Sequence, residues 1–346
     1  MRVFIGRGKT GLITAALILA VGQAGRVPVP AQYQDYMDRA YAAAAQQCRS
    51  TARSADVIIV GDSRVLYGID QKSLAKGLRI PHRKAASPRI ARVAVFGLSV
   101  ASDRWLWRRI TCGGHMPRAK VAIIGLWEVA LRNEIPTTDE ALRYLYEAAD
   151  LPWLLRHGRL DEAARVLTYR ILPLYARRSS LRTLVARTPS FLSFREPRRD
   201  QTLKRYRDYY RDYRIDPFQV GCLDEILADM RARGIHAILV SPPIERSLLR
   251  LAASDPRNPR WRGLPGEAAP GSPLWLFKRT ARRSAARAGA LYLDYLRPEQ
   301  SARFAYRGGD LAHLAPHSAA AFTEEIAARI NAELAQQATA PNQRPR

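Results

Sequence analysis

Residues 56–64 read DVIIVGDSR, and this stretch decides the fold. Four consecutive branched residues, Val57 to Val60, lie between Asp56 and Gly61, which predicts a short strand covered on both faces. Similar runs recur as ARVAVFGLS (91–99), AKVAIIGLW (119–127), HAILVSPP (236–243) and ALYLDYL (290–296). Helical patterns separate them at roughly 102–111, 138–170, 216–233, 273–288 and 318–336. Strands alternating with helices predict an α/β fold: a three-layer α/β/α domain with a mostly parallel sheet.

More than a hundred residues separate the third and fourth strand signals. The Arg- and Tyr-rich text there, including LKRYRDYYRDYR (203–214), reads as a helical insertion over the sheet at about 137–215, not a separate folding unit. Residues 255–273 are rich in Pro, Gly and charge and read as a loop. The expected organisation is a signal peptide or signal anchor at 1–25, a helical lead-in at 26–54, the α/β domain at 55–336 and a disordered tail at 337–346.

Composition narrows the class. A chain of 346 residues with 47% hydrophobic residues can bury a large core, which excludes global disorder. Three cysteines, Cys48, Cys112 and Cys222, form neither a disulfide scaffold nor a four-cysteine zinc module. The net charge of +25 invites nucleic acid or an anionic surface as partner. The N-terminus argues against nucleic acid. Arg2, Arg7 and Lys9 precede the uncharged run GLITAALILAVG (11–22), and small residues follow at Gly22 and Ala24. That order is the pattern of an export signal, too short for an ordinary spanning helix. The body is therefore expected in the periplasm or anchored at the outer face of the cytoplasmic membrane. In that compartment the three thiols could leave one disulfide and one free cysteine.

Ligands of open parallel sheets bind beyond the carboxyl ends of the strands. After the first run comes Gly61-Asp62-Ser63-Arg64; a serine at such a turn suits a nucleophile, but from this segment alone a helix cap at Asp62 or Ser63 is the favoured reading. After the second comes Gly97, either a close-approach oxyanion donor or a tight turn. After the third come Trp127 and Glu128; with Asp62 and Arg64 they are expected pocket residues. After the fifth comes Asp310-Leu311-Ala312-His313, an acid and an imidazole that one short loop can bring to one site. Asp294 competes for the acid role, and His317 lies nearby. In the stretch 203–214 the arginines could bind acidic polysaccharide or lipid head groups; a solvated helix whose tyrosines pack on the sheet is the favoured reading. No metal and no cofactor is implied. The six histidines form no HExxH or Cys-His cluster, and Gly6-Arg7-Gly8-Lys9-Thr10 lies before the apolar run rather than after a strand.

This order of motifs resembles the SGNH (GDSL-type) hydrolase and acyltransferase superfamily, including members that modify cell-envelope polysaccharides. The resemblance covers about residues 55–335 in order, but only about twenty residues in specific motifs. It implies an SGNH/flavodoxin-like fold with Ser63 as nucleophile and oxyanion donor, Gly97 as second donor, and Asp310 and His313 as acid and base. It also implies an exported esterase or O-acyltransferase acting on an acylated small molecule or glycan, with an anionic polysaccharide or membrane surface as further partner and no nucleic acid. One departure stands out: the family's third block, Gly-x-Asn-Asp, reads Gly125-Leu126-Trp127-Glu128 here, and Asn133 lies further on. Loss of one oxyanion donor typically costs about 10²–10³ in rate. The alternative is a weak or inactive relative that binds or assembles envelope polysaccharide.

Overall fold

The computed structural model describes residues 36–80, 87–97, 99–111, 118–133, 138–172, 198–254 and 268–339. The expected signal segment, the 255–267 part of the expected loop, Cys112 and residues 340–346 lie outside them.

The chain divides into two compact units. One holds the described residues 36–43 and 138–172. Its helices Asp139–Tyr144, Leu151–Arg156 and Leu160–Ile171 break the expected single run, with Leu151 followed by a proline that starts a new helix. Buried Asp38 pairs with Arg143 at 2.8 Å in this unit. The other unit holds the described residues from 44 to 133 and from 198 to 339. Of the stretch expected as an insertion at 137–215, the described residues 138–172 fall in the first unit and the helix Arg199–Arg211 in the second.

The sheet has five parallel strands: β1 (Val57–Gly61), β2 (Ile90–Ala94), β3 (Val121–Gly125), β4 (His236–Ser241) and β5 (Leu291–Asp294). Each falls within one of the five apolar runs or begins a residue before it. The order β2-β1-β3-β4-β5 is that of flavodoxin-like doubly wound sheets. Side chains of β1 alternate between two dry faces, which is why the run is apolar without a break. Val57 and Ile59 join Val121, Ile123, Ile238 and Val240 beneath Phe322, Ile326 and Ile330 of the last helix, Pro316–Thr339. On the other face run the helices Val100–Thr111, Pro217–Ala232 and Pro273–Ala288. Burying each such aliphatic side chain contributes roughly 1.5–3 kcal/mol. The last helix continues to Thr339, so the first three residues of the expected tail are helical.

The stretch after β5 corrects the expectation of a loop. Tyr306–Arg307 (β6) and Asp310–Leu314 (β7) pair as a small antiparallel ribbon turning at Gly308.

Candidate active site

The strand order reverses beside β1, so the crevice between the carboxyl ends of β1 and β3 is the topological switch point of the sheet. Ser63 opens the helix Ser63–Gly68 directly after β1. The cap and nucleophile alternatives resolve onto different residues. Asp62 is the cap, its carboxylate accepting the Arg64 N–H at 3.0 Å. Ser63 keeps its hydroxyl for another partner.

Two glycines let this helix sit low on the sheet. A Cβ on Gly61 would meet Val65 Cγ2 at 2.6 Å, and one on Gly125 would meet it at 1.7 Å. Val65 is fully buried in the gap they leave. The turn holding Ser63 is set by three residues from two strand ends and one helix.

Ser63 Oγ lies 2.8 Å from His313 Nε2, across 250 residues of sequence. His313 Nδ1 hydrogen-bonds to Asp310 Oδ2. The other Asp310 oxygen accepts the Ala312 N–H at 3.0 Å. Side chains three apart on a strand normally face opposite ways. Here the Asp310 carboxylate folds back over its own backbone at the start of β7 and so reaches the imidazole. Burial pushes the Asp310 carboxyl up, but the hydrogen bond and charge of His313 outweigh it and hold the group below its ordinary value. Tyr67 packs edge-on against His313 with ring centres 5.2 Å apart, and Phe96 packs against Tyr67 at 5.8 Å.

Gly97 has φ +66°, a left-handed conformation that disfavours other residues, and open space where a Cβ would be. Its segment follows β2, and the Val95 N–H bonds to the Gly61 carbonyl at 3.2 Å, which ties this loop to the serine turn.

Arg64 and Glu128 lie behind the serine rather than in an open pocket. Arg64 Nη1 and Nη2 donate to the two Glu128 oxygens at 2.6 and 2.9 Å, with the side chains only 2% and 0% exposed. Burial acts to raise the Glu128 carboxyl, but the Arg64 charge and hydrogen bond hold it below its ordinary value. Arg64 also donates to the Tyr206 hydroxyl at 3.0 Å, and Tyr210 donates to Glu128 at 2.7 Å. Tyr213 donates to the Glu128 carbonyl. Burial is the first cause of the raised Tyr206 hydroxyl, pushed up to about 12. Trp127 is half-buried, its ring 4.9 Å from the Arg64 guanidinium.

The helix Arg199–Arg211 thus has two faces. Tyr206 and Tyr210 are buried on the ion pair, and Arg205, Arg207 and Arg211 are exposed. Thr202 on the same helix donates to the Gly309 carbonyl at 3.2 Å, beside Asp310. One helix therefore braces both the end of β3 and the β6–β7 turn. Sequence reading gave these tyrosines no place at the site; their four- and three-residue spacing was the available signal.

The other candidates go elsewhere. Asp294 pairs with Lys278 at 3.1 Å and Arg282 at 3.0 Å. It borders a cleft of about 340 Å³ lined by Arg297 and Arg329 and by none of the residues around Ser63. His317 is exposed. Asn133 is committed to the backbone of Arg214, accepting its N–H at 3.0 Å and donating to its carbonyl at 2.9 Å. Cys48 is a buried free thiol and Cys222 is buried as well, while Cys112, the third thiol weighed for a disulfide, lies outside the described residues. Burial pushes the Cys48 thiol up to about 12. No group of three His, Cys, Asp or Glu side chains among the described residues could hold a metal ion.

No family model and no curated protein matches the chain. Among solved structures, it is similar to the crystal structure of LAE5, an alpha/beta hydrolase enzyme from the metagenome of Lake Arreo, Spain. The two are 13% identical with a TM-score of 0.33, over 81% of this chain and 97% of the other.

Proposed function

We propose that this chain is a serine acyl esterase or O-acyltransferase of the SGNH (GDSL) type. The hydrogen-bonded line from Asp310 through His313 to Ser63 carries the reading. His313 Nε2 takes the proton as Ser63 Oγ attacks the ester carbonyl, and Asp310 holds the ring oriented and offsets the imidazolium charge. The oxyanion sits against the N–H groups of Ser63 and Gly97, neither of which bonds to backbone elsewhere among the described residues. Collapse expels the alcohol with the proton returned from His313 and leaves acyl-Ser63. Water or a second hydroxyl, deprotonated by His313, then accepts the acyl group and releases the serine. We place the chain, with its basic and apolar N-terminus, outside the cytoplasm, acting on an acylated glycan or related ester. Among the described residues no helix is long and apolar enough to cross a membrane.

The test is turnover of a short-chain aryl ester, with and without an added sugar acceptor. Ser63→Ala is expected to lose at least about 10³-fold in kcat; equal rates remove Ser63 as nucleophile.

A second reading, an inactive envelope-polysaccharide subunit, is favoured by the third block. Glu128 is neutralised by Arg64, and Asn133 is held by Arg214, so neither supplies the missing oxyanion donor. Folded Ser63→Ala protein that supports the cellular function fully would favour this reading.

A further inference from the structure

Arg307, on β6, holds its guanidinium carbon 4.0 Å from the centre of the Tyr67 ring. Tyr67 stands four residues after Ser63 on one short helix, so both side chains share a helix face. The same Tyr67 ring packs against His313 at 5.2 Å. Arg307 is therefore one aromatic ring away from the imidazole. Its Nε donates to the Leu314 carbonyl at 3.3 Å, which fixes one edge of the guanidinium. Among the described residues, Nη1 and Nη2 find no acceptor and the charge no carboxylate. Neighbouring arginines differ: Arg64 is matched by Glu128, Arg199 by Glu245 and Arg303 by Glu325.

A half-buried guanidinium, stacked on a ring and tied at Nε, keeps two parallel donors in the geometry that suits a carboxylate. Stacking and the tied edge also remove much of the side-chain freedom that binding would otherwise have to freeze. The Tyr67 ring contacts both this charge and the His313 imidazole that bonds Ser63, so a ligand reaching from the guanidinium to Ser63 needs a short carbon spacer. We propose that Arg307 is a specificity-determining residue and that the preferred ester carries a carboxylate a few atoms from its carbonyl. This rests on the reading of Ser63 as the acylated residue. The carboxylate can belong to the acyl group, as in a dicarboxylic hemiester, or to the alcohol, as in an acidic sugar.

Two substrate pairs separate those sources. 4-Nitrophenyl glutarate against 4-nitrophenyl butyrate tests the acyl side, and 4-acetoxybenzoate against phenyl acetate tests the alcohol side. The measured quantity is the kcat/KM ratio of anionic to neutral ester, compared between the natural protein and Arg307→Gln. A charge-assisted hydrogen-bond pair predicts a fall of about tenfold or more in one arm, partly recovered in Arg307→Lys. A fall below about fivefold in both arms overturns the inference. If no variant turns over any ester, Ser63→Ala protein is titrated calorimetrically with monomethyl glutarate and 4-acetoxybenzoate, with and without Arg307→Gln. Weaker binding in the double variant keeps the anion site while the catalytic reading falls. Equal or absent binding overturns the anion site itself.

Discussion

Arg64 and Glu128 form a two-pronged ion pair, 2.6 and 2.9 Å long, between the residue after Ser63 and the end of β3. Both side chains are out of water; Tyr206 and Tyr210 complete their hydrogen bonding, and Tyr213 donates to the Glu128 backbone carbonyl. The pair joins the two strand ends that flank the crevice. Its value is greatest as a constraint on geometry, because burying charges offsets much of the attraction between them.

Removing one partner leaves the other charge buried and alone. Glu128→Gln and Arg64→Met are each expected to destabilise by about 3–5 kcal/mol in denaturant unfolding, with Arg64→Met/Glu128→Leu milder than the sum. The sign with pH follows from the lowered Glu128 carboxyl. Its contribution is complete above the unfolded glutamate value of about 4.3 and disappears as pH falls through the lower folded value. Single-variant losses under about 1 kcal/mol would show that the pair is not sealed from water.

Asp310→Asn keeps the shape but not the charge facing His313 Nδ1. By the triad logic kcat is expected to fall about 10³–10⁴-fold, while Asp294→Asn, in the competing position, leaves it within about threefold. The opposite ranking in ester assays would move the acid role to β5.

Asp103 is buried on the helix Val100–Thr111, and its Oδ1 finds no hydrogen-bond partner among the described residues. Burial, followed by the charge of Asp62, raises its carboxyl well above the ordinary value. The folded state then keeps a proton that the unfolded chain releases above about pH 3.9, so stability declines with rising pH by up to ~1.4 kcal/mol per unit. Asp103→Asn should be more stable than the natural protein at pH 8, with the difference fading by pH 4. Parallel stability–pH curves for the two proteins would contradict this.

Gly125→Ala would put a Cβ 1.7 Å from Val65 Cγ2, against a buried branched side chain. Overpacking of this kind costs about 1–3 kcal/mol and should displace the serine turn, lowering ester turnover as well. Val65→Ala in the same chain should recover much of both losses. Additive effects in that double-variant cycle would mean the contact does not set the height of the helix.

Much of this molecule is written locally. Runs such as VIIV at 57–60 need only a two-sided dry environment to become central strands, so all five strands and their place in the α/β alternation were legible in the chain. The residue types at the strand ends were legible too: Asp62, Ser63, Gly97, Asp310 and His313 all stand where open sheets keep their ligands. Tertiary structure alone decided which of them meet. Asp310 lies on a strand, where three-residue spacing should separate it from His313, and only the carboxylate's turn onto the Ala312 N–H brings the two together. Glu128 looked like an open pocket acid until Arg64 and a helix more than seventy residues later closed over it. The reason is physical. Periodicity reports whether a side chain leaves water, which is a property of one segment. Which charge or hydroxyl it then meets depends on contacts such as Ser63 with His313, 250 residues apart, fixed only when the layers pack.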